Sequence, residues 1–359
     1  MLEARLATEA DDAQLREIVS STDLPGTIKL AYLREPNFFD SLRCNGKTHH
    51  VIVVENGHEI AGLIVRSIKE VYINGSPSKI GYIHSLRILP AYHGSLVFGK
   101  GLKLLQQLHY EDQLVQGYLM SVIQGNTYAD LLLSKRYIIP GSFFLGKFCT
   151  YALPLQSKKN LPACRGISIS RTTTVGEQLF WHEYLEKNKK QKQFYPHSTG
   201  DDFPNKTLYA AHRHGKVIGI LGLWDQSRYK QIAVTRLPPL IDQYLALHNR
   251  MRNLLRKKLY PRRGDYLSQL FISDVVIEEN DPQVFALLLT QAYNDMTVQN
   301  EHDLLIVGLH ERDTLLRGLK NFRKIKYFSD LYLIFWDKGK DFVKKINPHL
   351  IPYLEVGSM

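Results

Sequence analysis

Residues 82–89, YIHSLRIL, read as a strand that runs straight into Pro90-Ala91-Tyr92-His93-Gly94-Ser95 and then into a helix. A strand, a glycine turn and a helix start in succession gather free backbone N–H groups and the positive end of the helix dipole at one point. Such a point suits a pyrophosphate. At the corresponding place in the second half, after a strand expected over 269–277, the chain reads Glu278-Glu279-Asn280-Asp281-Pro282. Acidic side chains there repel a phosphate instead of holding it.

Other residue groups are weaker signals. Trp224-Asp225-Gln226 with Lys230-Gln231 reads first as an Asp-initiated turn at a strand end, and otherwise as a polar substrate contact near a domain interface. In KQFYPHSTGDDF, Phe194, Tyr195 and Phe203 read as core plugs, while Asp201 and Asp202 suit a solvated loop. No His/Asp/Glu cluster points to a metal. The three cysteines, Cys44, Cys149 and Cys164, are far apart and without a CxxC pair, so buried free thiols are expected rather than a disulfide framework or a zinc knuckle.

These candidates need elements to position them. Helices are expected near 11–21, 95–111 and 127–135, and strands over 51–55, 59–67, 79–89 and 118–123, with a hairpin turn at Asn56-Gly57. The order recurs downstream. A helix near 176–190 precedes strands 208–213, 216–224 and 231–237. After an inserted helix come strand 269–277, helix 282–298, strand 304–309, helix 312–319 and strand 331–336. Between the two series, PLQSKKNLPACRG (154–166) reads as a linker. The expected architecture is therefore α/β (α+β): two similar domains in tandem, 1–153 and 167–359, each a twisted, mixed but mostly antiparallel sheet flanked by helices.

Length and composition agree with that division. A chain of 359 residues suggests two domains, and 44% apolar with 23% charged residues suits a folded protein. No stretch is apolar for the roughly 18 residues of a membrane span, and the acidic start MLEARLATEADD does not resemble a signal peptide; a cytoplasmic protein is expected. The net charge of +11 is uneven: residues 1–160 hold 17 Lys and Arg against 14 Asp and Glu, and 161–359 hold 29 against 21. Much of the excess falls at 240–263. There Ile241, Tyr244, Leu245, Met251, Leu255 and Leu259 are expected to bury one face of a helix, and seven cations from Arg250 to Arg263 to mark the other. A solvated face, or contact with RNA, anionic lipid or an acidic protein surface, would use them.

The strand and turn at 82–95 resemble the central signature of the GNAT (N-acetyltransferase) superfamily, in which a strand ending in Val/Ile-x-Pro leads into Gln/Arg-Gly-x-Gly-x-Gly/Ala. Ile88, Pro90, His93 and Gly94 occupy matching positions, whereas Leu96 and Phe98 stand where the second and third glycines would be and are expected to crowd the turn. SVIQGN-TYADLLLSKRY resembles the family's next strand and helix through Asn126 and Ala129. Tyr137 falls one residue early, and Leu133 stands where a general-acid tyrosine is common. LRILPAYHG, NTYADLLLSKRYIIPG, KQFYPHSTGDDF and LWDQSRYKQ together resemble a bacterial group of tandem-GNAT proteins.

The resemblance implies an N-acyltransferase that moves an acyl group directly from acetyl-CoA or another acyl-CoA to an amine, small-molecule or peptide, without a metal. It places the pantetheine beside Leu86, Arg87 and Ile88, the pyrophosphate over the N–H groups of His93, Gly94, Ser95, Leu96 and Val97, and Asn126 at the cofactor. His84, with an unperturbed pKa of about 6.5, is the implied base. Two other readings stand beside it: a catalytically silent GNAT-like scaffold, and a transferase that takes its acyl group from aminoacyl-tRNA.

Overall fold

The computed structural model describes residues 1–21, 28–126, 141–173, 181–197, 206–255, 258–336 and 339–359. The expected helix at 127–135, with Ala129, Leu133 and Tyr137, lies outside the described residues, as do Asp201, Asp202, Phe203, Arg256 and Lys257.

The first half contains β1 (Leu2–Leu6), α1 (Asp12–Ser20), β2 (Lys29–Leu33), β3 (Thr48–Asn56), β4 (Glu59–Ile73), β5 (Ser76–Ile88), α2 (Val97–Asp112), β6 (Tyr118–Ile123) and β7 (Gly141–Pro154). The second contains β8 (Ile167–Thr172), α3 (His182–Lys189), β9 (Lys192–Gln193), β10 (Lys206–Arg213), β11 (Lys216–Asp225), β12 (Gln231–Arg236), α4 (Pro239–Leu254), β13 (Gln269–Ile277), α5 (Pro282–Gln299), β14 (Leu304–His310), β15 (Ile325–Phe335), α6 (Gly339–Lys345) and β16 (Ile351–Pro352). The Asn56-Gly57 turn forms as expected, with Gly57 at φ 67° between the antiparallel β3 and β4.

Among the described residues, twelve strands form one sheet in the order β1-β3-β4-β5-β6-β15-β7-β14-β13-β11-β10-β8. Read inward from either edge, the first five strands follow the same plan: β1, β3, β4, β5, β6 on one side and β8, β10, β11, β13, β14 on the other. The fourth and fifth pair in parallel in both. At the centre the halves exchange their last strands. β15 from the second half pairs with β6, β7 from the first pairs with β14, and β7 and β15 pair with each other. The sequence reading ended the first half before a linker and did not anticipate this exchange. Residues that follow β7 lie along α5, with Lys159 N–H donating to Asn294 Oδ1.

Apolar residues spaced for a helix explain the layers. Phe98, Leu102 and Leu105 of α2 pack on Ile52, Ile64 and Ile83 of the sheet. Val284, Phe285, Leu288, Leu289 and Ala292 of α5 pack on Ile220, Leu221 and Val276. α1 covers the opposite face of the first half through Leu15, Ile18 and Val19. Phe194 and Tyr195 are buried, as core plugs should be. All three cysteines are free; Cys149 is buried, but Cys44 and Cys164 are only half-buried.

The stretch at 240–263 departs most from expectation. Its helix ends at Leu254 rather than Arg263, and none of its residues is buried. The chain then doubles back: Asn249 bonds both ways with the Tyr260 backbone, and Arg262 pairs with Asp242 at 2.8 Å. Pro261 cannot continue a helix, so Arg262 and Arg263 belong to the return segment.

Candidate functional site

Strand β5 parts from β6 where the chemistry was expected. The two pair only from Gly81 to Ile83, opposite Tyr118 to Met120. A bulge marks the departure: the register with β4 shifts between Leu63 and Val65, opposite Arg87 and His84, and Ser85 turns to φ 51°. His84 to Ile88 are half-buried. Strand β13 is built alike. It pairs with β14 only from Gln269 to Phe271, its register with β11 shifts between Ile220 and Gly222, and Asp274 sits at φ 49°. The registers make Asp274 the counterpart of Ser85, and Val275 the counterpart of Leu86.

The two clefts differ in content. In the second half, residues Val356–Ser358 pack against β13 and β14. Asp274 N–H donates to Glu355 Oε1 at 2.9 Å, and Val275 N–H to the Tyr353 hydroxyl at 3.2 Å. Gly308 admits this segment, for a Cβ there would lie 2.6 Å from that of Val356. The chain's own residues thus fill the second cleft, and Ser273 to Ile277 are all buried. In the first half, among the described residues, no side chain accepts a hydrogen bond from the N–H of Ser85 or Leu86.

After β5, Pro90–Tyr92 form a single 3-10 turn, Gly94 takes φ 80°, and α2 starts at Val97. Gly62 lets the helix start press close to the sheet, since a Cβ on it would sit 2.7 Å from Val97. The turn uses part of its own N–H supply. His93 donates to Pro90 O at 3.2 Å, Ser95 to Tyr92 O at 3.2 Å, and Val97 to Ser95 Oγ at 3.4 Å. Gly94 and Leu96 remain as donors from the expected run. Of the two residues expected to crowd the turn, Phe98 is buried in the core beneath α2, and Leu96 is 70% exposed at the helix start. Asn126 stands just past the end of β6, across the cleft from β5, and is exposed.

The second half's helix start is occupied differently. Asp281 caps α5, its Oδ1 accepting from Gln283 N–H at 2.8 Å, so a carboxylate of the chain sits where an external anion would bind.

With this geometry in hand, the chain superposes on solved structures over nearly its full length. N-myristoyltransferase from Saccharomyces cerevisiae, solved with bound myristoyl-CoA, matches at a TM-score of 0.58 and 10% identity, over 94% of this chain and 79% of that one. A GCN5-related N-acetyltransferase from Anabaena variabilis ATCC 29413 matches at 0.50 and 13% identity, over 93% and 72%. One from Kribbella flavida matches at 0.50 and 12%, over 93% and 70%. The fold is the GNAT fold, in tandem. No family model and no curated protein matches the sequence.

Within this GNAT fold, His84 lies at the mouth of the first cleft in a hydrogen-bonded chain. Its Nε2 is 2.8 Å from Ser67 Oγ, which is also 2.8 Å from His49 Nδ1, while Nδ1 of His84 is 3.1 Å from Ser85 Oγ. Burial, then the fields of Lys69, Lys230, His49 and Arg34, push its pKa well below the usual histidine value. The imidazole is neutral at pH 7. Arg87, beside it on β5, has its Nε buried and unpartnered. Arg34 is buried, and burial lowers both guanidinium pKa values. The first cleft is a positive environment.

A cavity of about 800 Å³ opens next to it, between the halves of the fold. Tyr82 joins the two spaces: its ring stacks on His84 at 5.0 Å and lines the cavity beneath the Lys69 ammonium, 4.2 Å away. Lys69 donates to Ser358 O and Oγ at 3.2 and 3.0 Å, and burial pushes its pKa down to about 7. Across the cavity, Lys206 pairs with Asp274 at 2.9 Å and lies over Trp224. Glu355 also lines it. Burial, followed by the charge of Asp274, raises its pKa, and its Oε2 is buried without a partner.

The Trp224–Gln231 motif takes its turn reading. Asp225 Oδ1 accepts from Ser227 N–H in an Asx turn, while Lys230 reaches across to Gly357 O at 3.0 Å. Sequence reasoning missed Lys69 and Glu355, and named Lys230 only as part of a turn motif. Nothing in their local pattern distinguishes them from surface charges, and only the exchanged strands and the 353–358 segment bury them. Among the described residues, no group of three or more His, Cys, Asp or Glu side chains could hold a metal ion.

Proposed function

We propose that the protein is an N-acyltransferase whose first half binds an acyl-CoA and whose central cavity receives the amine. One observation carries this reading: the same splayed, bulged strand pair occurs twice, and the copy at Ser85 and Leu86 keeps backbone donors that its counterpart spends on Glu355 and Tyr353. The pantetheine lies along Leu86, Arg87 and Ile88. The pyrophosphate meets the N–H groups of Gly94 and Leu96 at the start of α2. The capped and filled second copy is structural. Acetyl-CoA as the particular donor, the division of the chain at 154–166 and a cytosolic place of work belong to the same proposal.

Attack of an amine on the thioester carbonyl builds negative charge on its oxygen and then on the leaving sulfur. Fixed positive groups at that point lower the barrier. Lys230, Arg34 and Arg87 supply them, in place of a single general-acid tyrosine, and Lys69 adds to them in its protonated form. His84 is neutral and accepts the proton from the attacking amine, oriented by Ser67 and Ser85. Glu355, which lines the cavity, anchors the incoming ammonium.

Calorimetric titration with acetyl-CoA and longer acyl-CoAs tests the donor half of this reading. Binding is expected in the wild type and weakened in Gly94→Val. Absence of heat with every acyl-CoA at high protein concentration would leave the silent-scaffold reading in its place.

A further inference from the structure

Helix α4 leaves most of its large apolar residues exposed. Leu240, Tyr244, Leu247, Met251, Leu254 and Leu255 are each between 56% and 85% exposed. At 3.6 residues per turn these six fall within an arc of about 100° and form one stripe about 24 Å long. The face turned toward the protein carries half-buried Ile241 and Leu245 among polar groups that hold the return segment. Asp242 holds Arg262, Asn249 holds the Tyr260 backbone, and Arg252 Nε donates to Lys258 O at 2.6 Å. Tyr266 and Leu259, 61% and 47% exposed, lie on the return segment beside it. Tyr266 bridges to Ala233, and Lys258 pairs with Asp303 at 2.9 Å, which anchors the base of the unit to the body. Fold and anchoring are thus complete while the apolar stripe remains uncovered.

We propose that α4 docks the protein on an anionic phospholipid bilayer. Between Pro239 and Arg263 the chain has seven Lys and Arg and a single carboxylate, Asp242, which Arg262 already neutralises. Arg250 and Arg263 are exposed and make no ion pair among the described residues. A leucine, methionine and tyrosine stripe edged by cations matches the interface of a negatively charged membrane, where the apolar residues leave water and the cations meet phosphate. A second copy of the chain fits less well, because the one carboxylate of this stretch, Asp242, is already paired with Arg262 and leaves none on the helix to meet Arg250. RNA would satisfy the cations and leave the stripe in water.

The test is flotation of the full chain with vesicles of phosphatidylglycerol and phosphatidylcholine in equal parts, against vesicles of phosphatidylcholine alone. The protein is expected to float with the anionic vesicles at low salt and to be released as NaCl rises toward about 0.5 M. The double variant Leu247→Gln, Leu254→Gln should lose about ten-fold or more of this partition, since two exposed side chains no longer leave water on docking. Both positions are solvent-facing, so an unchanged thermal transition shows that the variant is folded. No flotation at low salt, equal flotation of the variant, or RNA binding without flotation would overturn the proposal. So would a wild-type dimer in light scattering that the double variant converts to a monomer, which would give the stripe to a second copy.

Discussion

Gly94 takes a φ of 80° with no atom within 4 Å of where a Cβ would stand. The difficulty for a side chain there is backbone strain, not space. Valine should therefore cost about 1–2 kcal/mol through the left-handed conformation, and acyl-CoA titration of Gly94→Val should show weaker binding with the fold intact by circular dichroism. Lys69 makes a pH prediction. Its pKa is about 7 in the fold against 10.5 in water. Between these values the unfolded chain binds more protons than the folded one, so stability rises as pH climbs from 7 toward 10, and the penalty is constant below 7. Calorimetric melting of Lys69→Met should show that rise flattened and a higher midpoint at pH 7. At His84 burial, and after it the field of neighbouring cations, sets the expectation for kinetics. The acid limb of kcat/KM should lie well below pH 6.5 and change in His84→Asn, and an unaltered limb would remove this residue from the role of base.

Elements were legible where local pattern decides them. The strand, proline, glycine and helix succession at 82–97 was readable because each residue type acts on its own backbone, and the Asn56-Gly57 hairpin for the same reason. The end of α4 was misplaced by the period of its leucines, which continues past Leu254 although the chain turns back toward Pro261. Its exposure was illegible, because periodicity reveals a face and not what covers it. The role of Gly308 was equally hidden, since it depends on Val356, 48 residues later, entering the cleft between β13 and β14. Gly308→Ala should drive a Cβ into Phe148 and Val356, both at 2.6 Å. Overpacking of this kind costs about 1–3 kcal/mol, readable as a lower midpoint in chemical denaturation. Removing the cap on α5 with Asp281→Ala should cost about 1 kcal/mol by the same measurement.

For the whole molecule, the duplicated order of elements was visible in the sequence, but the exchange of β7 and β15 was not. Either strand would satisfy either edge by pattern alone, and only the assembled sheet distinguishes them. The exchange carries a consequence for synthesis. When residues up to Pro154 have left the ribosome, β6 is still without the neighbour that completes it, and that neighbour ends at Phe335. At about 5–20 residues per second the gap lasts roughly 10–40 s. Throughout it a nascent chain presents an unpaired strand edge, with Met120 and Val122 on it, to any other sheet nearby. Crowded polysomes should be where this protein goes wrong, and slowing translation between the two halves should lower its soluble yield.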